Sequence, residues 1–202
     1  RDTIAETVNS LLAQSDPRWR AIVVEDGCPD RCAQAVPRDP RVRVFRQDNA
    51  GQAIARNTAL AYASAPLVYF LDSDDIAMPT MVARAAEALR QPADQAPVHG
   101  WIGPSVATDE SMNPIDRPAL VPARALERSD LLRNNPVPPN ALILRRACLL
   151  ELDGPFDPDC VEDWDLLLSL SSTHPGGHRA WAQLPGHGPV GAYRIRPGSY
   201  SS

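Results

Sequence analysis

Residues 66–79 read PLVYFLDSDDIAMP. An apolar run, 66–72, leads into Asp72, Asp74 and Asp75, and Pro79 closes the stretch. A run that is apolar without alternation is expected to form a strand covered on both faces, as in a parallel sheet. Pro79 then opens a helix reaching about Leu89, because a proline in the first turn gives up a donor that has no helical partner there. The stretch is therefore strand, acidic turn, helix. Its carboxylates stand at the carboxyl end of the strand, where open α/β sheets take their ligands.

The flanking sequence repeats this alternation. Ile4, Val8, Leu11 and Leu12 recur at helical spacing, which predicts a helix over 3–14 with one face on a sheet. Trp19 to Glu25 forms the next strand; its AIVV core is again apolar throughout, and it ends in Glu25-Asp26-Gly27. A short irregular segment, a strand over Val42 to Gln47 and a glycine-started helix from Gly51 to about Ala63 complete the first part. The order predicts an α/β fold with a Rossmann-like, doubly wound, mostly parallel sheet flanked by helices.

From Gln91 to Asn140 prolines punctuate the chain, and a loop-rich excursion is expected, with a strand near Val98 to Val106 and a helix near Ala123 to Arg133. ALILRRA, 141–147, is the next strand. After Gly154-Pro155-Phe156-Asp157 comes a second acidic cluster, Glu162-Asp163-Trp164-Asp165, opening the helix DLLLSL.

At 202 residues the chain is the size of one domain. A net charge of -5 offers no basic field, so no nucleic-acid partner is expected. No apolar run approaches the about eighteen residues of a membrane span, and the visible chain reads as soluble. Its start inside an expected helix suggests a piece of a longer protein. Cys28 and Cys32 could be half of a zinc site, but the spacing is loose and Cys148 and Cys160 lie far away, so ordinary reduced thiols are expected.

Asp26, the pair Asp72 and Asp74, and Glu162/Asp163 thus occupy comparable places at strand ends or a helix start. Each alone is what a solvated turn or helix cap would show. Asp72 and Asp74 can face one ligand, and they would repel each other unless a cation sat between them. A hard divalent ion, Mg²⁺ or Mn²⁺, suits such carboxylates together with phosphate oxygens.

Taken in order, IVVEDGCPD, DNAGQAIARNTAL, FLDSDD, GPFDPDCVEDWDLLLSL and YRIRPGSYS resemble the motifs of the family 2 glycosyltransferases, which have the GT-A fold. The resemblance implies an inverting transfer of a sugar from a nucleotide-sugar donor, UDP-linked by expectation, to a hydroxyl of a saccharide or lipid-linked acceptor. It implies that Asp26 binds the base, that Arg56 fixes the nucleotide, that Asp72 sits by the ribose or metal, and that Asp74 ligates Mn²⁺ or Mg²⁺. Asp163 would be the general base; Glu162, Trp164 and Arg196 would contact diphosphate or acceptor. Residues 1–90 would be the nucleotide-binding half and 91–202 the acceptor-binding half of a single domain. The place of work would be the cytoplasm or the cytoplasmic face of a membrane.

Asn57 and Asp75 are expected to be structural, holding loops by local hydrogen bonds, and His187 to be a turn residue. Trp164 and Trp101 fit acceptor stacking and core packing equally. The chain departs from the family pattern in four ways, one of them Ser169, which stands where an Arg often follows the Glu-Asp helix start. The strand that usually precedes the first helix is absent, which would leave the sheet short of a central member. Cys28 stands where Ser or Thr is common, and Arg196 replaces a frequent His. Two other readings compete: a non-catalytic nucleotide-binding or interaction module of the same fold, and an Asp-x-Asp phosphohydrolase. The second needs a downstream lysine, and the chain has none.

Overall fold

The structure, a computed structural model, describes residues 2–90, 98–116, 128–133, 137–171 and 181–196. Helix α1 (Asp2–Leu12) buries Ile4 and Val8, as its spacing predicts, and its polar residues have a second task. Thr7 Oγ1 donates to Asp75 O (2.8 Å), Ser10 Oγ accepts from Ala77 N (3.0 Å), and Gln14 Nε2 donates to Met78 O (2.8 Å). Gln14 Oε1 also accepts from Val82 N (3.0 Å), one of the helix-start donors that lack an intrahelical partner. Thr7 and Ser10 share a face by helical spacing, Gln14 follows just past the helix end, and together they fix the segment 75–82.

Strand β1 (Ala21–Asp26) pairs in parallel with β2 (Val42–Gln47), in a register that sets Ala21 against Val42 and Asp26 against Gln47. Helix α2 (Gln52–Tyr62) follows, with Gly51 as its N-cap, and buries Ala53 and Leu60. Strand β3 is shorter than predicted, Leu67–Tyr69, because Phe70 leaves the ladder and sets its ring edge-on against Phe156 at 4.7 Å. A two-residue strand, β4 (Ile76–Ala77), precedes α3 (Met81–Arg90).

The strand predicted near 98–106 is two strands, β5 (Gly100–Ile102) and β6 (Ser105–Thr108). Pro104 lacks the amide that would continue a ladder, and a side chain at Gly103 would meet Val190 Cγ2 at 2.6 Å. Of the helix predicted near 123–133, α4 (Arg128–Leu131) is present; residues 117–127 lie outside the described segments. Strand β7 (Leu142–Arg145), short α5 (Arg146–Leu149), α6 (Glu162–Leu170), β8 (Trp181–Gln183) and β9 (Gly191–Arg194) complete the chain.

Four strands form one sheet in the order β3-β7-β5-β8, and three form another in the order β4-β9-β6. The α/β class is as expected, and beyond β2 the pairing is mixed: β5 with β8 and β6 with β9 are parallel, while β7 runs antiparallel to β3 and β5 and β4 antiparallel to β9. The pair β1-β2 stands as a sheet of its own, so the sheet divides between β1 and β3. β7 is central and covered on both faces. Leu142 and Leu144 pack with Ala53, Leu60, Leu166 and Trp181, and Ile143 packs with Met81, Trp101 and Val190 on the other side. Among the described residues no helix is long and apolar enough to cross a membrane.

Candidate active site

The acidic turn after β3 is held from beneath. Asp75 is buried, its Oδ2 accepting from Asn140 Nδ2 (2.9 Å) and its Oδ1 from Arg194 N (3.1 Å). Burial, with Asp72 and Asp74 nearby adding repulsion, pushes its carboxyl up to about 8, against the pull of those two donors. Asn140 is itself wholly buried: its Oδ1 accepts from Ser105 Oγ (2.8 Å) and its O from Tyr69 OH (2.9 Å). Asp75 is therefore structural, as expected, but its partners are distant in sequence. With Asp75 pinned inward, Asp72 and Asp74 remain at the surface.

Neither surface carboxylate is left to repulsion. Arg56 Nη2 donates to Asp72 Oδ1 at 2.8 Å, and Gln52 Nε2 approaches the same oxygen at 3.2 Å. Arg196 Nη2 lies 3.3 Å from Asp74 Oδ2. The repulsion expected between the two is offset here by two guanidinium groups, one beside each carboxylate. The guanidinium of Arg56 also lies 5.5 Å from the centre of the Phe156 ring.

The neighbour of Arg56 on α2 ties in the second acidic cluster. Asn57 Nδ2 donates to Phe156 O (2.7 Å), and Asn57 Oδ1 accepts from Phe156 N (3.2 Å), so one amide clasps both backbone groups of the Gly-Pro-Phe-Asp turn. These bonds span 99 residues rather than being local. That turn leads into α6, whose first residues are Glu162 and Asp163. Asp163 Oδ1 accepts from Trp164 N at 2.9 Å. Trp164 is half-buried, with Nε1 donating to Leu131 O at 2.6 Å, which fixes the indole against α4. Trp101 is buried in the core with Arg145 over its ring at 4.7 Å, so of its two readings packing holds. His187 is exposed between Gly186 and Gly188, both at positive φ, in a turn as expected.

Asp26 closes the base of the loop after β2. Its Oδ1 accepts from Gln47 Nε2 (2.8 Å) and Ala50 N (2.9 Å), and its Oδ2 from Gly51 N (2.9 Å). Burial opposes the charge, and the three donors outweigh it, so the carboxyl titrates below its usual range. Gly27 follows at φ 67, with the place of a Cβ only 2.6 Å from Asn49 N, so the approach of the two loops requires glycine. Sequence reasoning missed Gln47, Gln52, Asn140 and Phe156 as partners. Gln47 ends a predicted strand opposite Asp26 and could have been found from register; Asn140 carries no local signal.

Asp72 and Asp74 supply hard oxygen donors, and the side chain of Asp74, 28% exposed, faces a half-exposed arginine that can swing away. The pair suits a hard divalent cation. The arginines, released, would suit the oxygens of a diphosphate.

A family model described as glycosyl transferase family 2 matches residues 1–150. The *Bacillus subtilis* protein TuaG, a glycosyltransferase named for teichuronic acid biosynthesis, is 45% identical over 80 residues, 37% of this chain and 32% of that protein. WfgD of *Escherichia coli*, named a UDP-Glc:alpha-D-GlcNAc-diphosphoundecaprenol beta-1,3-glucosyltransferase, is 40% identical over 77 residues, 37% of this chain and 30% of that one. Among solved structures, *S. aureus* TarS 1-349 in complex with UDP-GlcNAc superposes with a TM-score of 0.67 at 18% identity, over 98% of this chain and 56% of that one. At that identity the likeness speaks for the fold. The matches span about a third of the curated relatives and little more than half of the solved chain.

Proposed function

The chain belongs to glycosyl transferase family 2, with the GT-A fold, and from that premise we propose that it transfers a sugar from a UDP-linked donor to an acceptor hydroxyl with inversion. The observation that supports this best is the pairing of two surface carboxylates with two arginines at the end of β3, Asp72 with Arg56 and Asp74 with Arg196. That is the side-chain set a metal-bound diphosphate requires: carboxylates for the cation, guanidinium groups for phosphate oxygens.

Asp74, with Asp72, would hold Mn²⁺ or Mg²⁺, which when bound supplies charge neutralisation at the departing diphosphate. Arg56 then turns from Asp72 and Arg196 from Asp74 toward the diphosphate oxygens. Asp26, with Gln47 and the loop it closes, forms the base-binding edge. Asp163 takes the proton of the acceptor hydroxyl, whose pKa lies far above neutrality, as that oxygen attacks the anomeric carbon. One base opposite one leaving group gives a single displacement, hence inversion. Residues 1–90, joined by Arg196, supply the nucleotide side and the rest of 91–202 the acceptor side. The name of WfgD makes a lipid-linked saccharide the first acceptor class to try, and the cytoplasmic face of a membrane is the place of work proposed with it.

Calorimetric titration of UDP with and without Mn²⁺ tests the reading: binding that strengthens with Mn²⁺ is expected, and no binding in either condition overturns it. Asp163→Asn should lower transfer by about 10³-fold or more while leaving UDP affinity within about twofold. Transfer that survives this change removes Asp163 as the base.

A further inference from the structure

Behind Asp26 lies a second cluster that the proposed transfer does not use. The carboxylate of Glu25 and the sulfurs of Cys28 and Cys32 offer ligand atoms that all lie within 4.8 Å of one another. The backbone is shaped to bring them together. Gly27 at φ 67 turns the chain as it leaves β1, and Arg31, a non-glycine residue at φ 48, turns it back so that Cys32 opens a short 3₁₀ turn. A left-handed conformation at a residue with a Cβ is strained, and the surroundings must offset that strain.

The carboxylate of Glu25 is the unusual member. Its side chain is 3% exposed, yet the contacts around it are long: Ala33 N at 3.3 Å from Oε1, and Arg46 Nε at 3.6 Å from Oε2 on a side chain that is 53% exposed. A buried carboxylate is ordinarily held by short, strong donors. The two cysteines are half-buried, so the cluster opens to solvent on the sulfur side.

We propose that Glu25, Cys28 and Cys32 bind one thiophilic divalent cation, Zn²⁺ by the chemistry of the donors, with a water completing a tetrahedron. With Zn–S near 2.3 Å and Zn–O near 2.1 Å, tetrahedral ligand atoms stand roughly 3.5–3.8 Å apart, so the side chains need close by no more than about 1.3 Å. Two sulfurs to one oxygen exclude Mg²⁺, Mn²⁺ and Ca²⁺ as natural occupants, which separates this centre from the acidic turn after β3. Binding releases the two thiol protons to solvent and leaves two thiolates and a carboxylate around one dication. The ion would clip the loop 27–32 to the end of β1, one residue from Asp26. The loose cysteine spacing hid this arrangement because the third ligand is a strand residue.

The test uses the whole chain, stripped with a chelator and kept reduced, and Co²⁺ as the optical probe. One equivalent should give a sulfur-to-cobalt charge-transfer band with tetrahedral d–d bands, bleached by one equivalent of Zn²⁺. Cys28→Ser, Cys32→Ser and Glu25→Gln should each weaken Zn²⁺ binding by more than about tenfold, whereas Cys148→Ser and Cys160→Ser should not. Asp72→Asn combined with Asp74→Asn should leave the band intact. On the unaltered chain, Zn²⁺ should protect Cys28 and Cys32, but not Cys160, from alkylation, so the outcome does not depend on any variant folding. Absence of a thiolate band at millimolar Co²⁺, its survival in the Cys28→Ser/Cys32→Ser double variant, or undiminished alkylation in Zn²⁺ overturns the proposal.

Discussion

Asn140 holds three parts of the molecule with one residue: its amide nitrogen reaches Asp75, its amide oxygen takes the Ser105 hydroxyl, and its carbonyl takes the Tyr69 hydroxyl. Asn140→Ala removes two of these and strands a buried carboxylate oxygen of Asp75, while the Ser105 hydroxyl keeps Gly191 O at 3.1 Å. A loss of about 2–3 kcal/mol is expected, seen as a lower urea midpoint at unchanged slope. Asn57→Ala should cost about 1–3 kcal/mol by freeing Phe156 N and O, and if α6 shifts with that turn, transfer should fall more than UDP affinity. At this scale the carboxylates were legible and their holders were not. Asp26, Asp72, Asp74 and Asp163 stand at predicted strand ends and a helix start, where spacing points to them. The Asn140 amide meets Asp75 across 65 residues, and no periodicity encodes such a meeting. Nor could charge counting find Arg56 and Arg196 as counter-ions, because that pairing is made by the fold.

At the scale of elements, α1 was legible by its apolar stripe, but the stripe Thr7, Ser10 and Gln14 reads from sequence as ordinary solvated surface. It serves instead as the frame for the acidic turn. Helix α3 has a parallel hidden task. Arg84, 6% exposed, donates Nε to Pro185 O and Nη1 to Gly188 O, both at 2.7 Å, and Nη2 to Gly186 O at 3.3 Å. This one guanidinium clamps the turn before β9, whose strand in turn carries the Arg194 amide to Asp75. Arg84→Met keeps much of the buried stem and loses the clamp. The freed carbonyls lie at an exposed loop and can take water, so a modest loss of about 1–2 kcal/mol is expected, with faster proteolytic cleavage near 185–188 as the specific sign. Strand boundaries were the least legible feature. The apolar run 66–72 says nothing of where Phe70 abandons the ladder for Phe156, and the single strand expected near 98–106 splits because Gly103 must pass Val190.

Across the whole molecule the two sheet systems differ in cover. Residues Gly100–Ile102 of β5 and Leu142–Leu144 of β7 are buried, whereas most of β1 is only half-buried and no residue of β2 is more than half-buried. Among the described residues β1 pairs with β2 alone, whereas β7 has a ladder on each side. Local opening should therefore be easier in the β1-β2 layer, and amide exchange there should run at least about tenfold faster than in β5 and β7. Asp26 ends β1, while Asp72 and Asp74 follow β3, so a ligand that touches both must bridge the two systems. UDP with Mn²⁺ at a hundred times its dissociation constant stabilises the bound form by about 2.7 kcal/mol, and openings that release the ligand should become about a hundredfold rarer. The slowing should fall on residues 21–26, 47–51 and 72–75, with little change in β8, which lies at the far edge of its sheet from β3. Protection confined to 72–75 would mean that the nucleotide does not reach Asp26, and protection spread evenly over the chain would mean that the two layers already open as one unit.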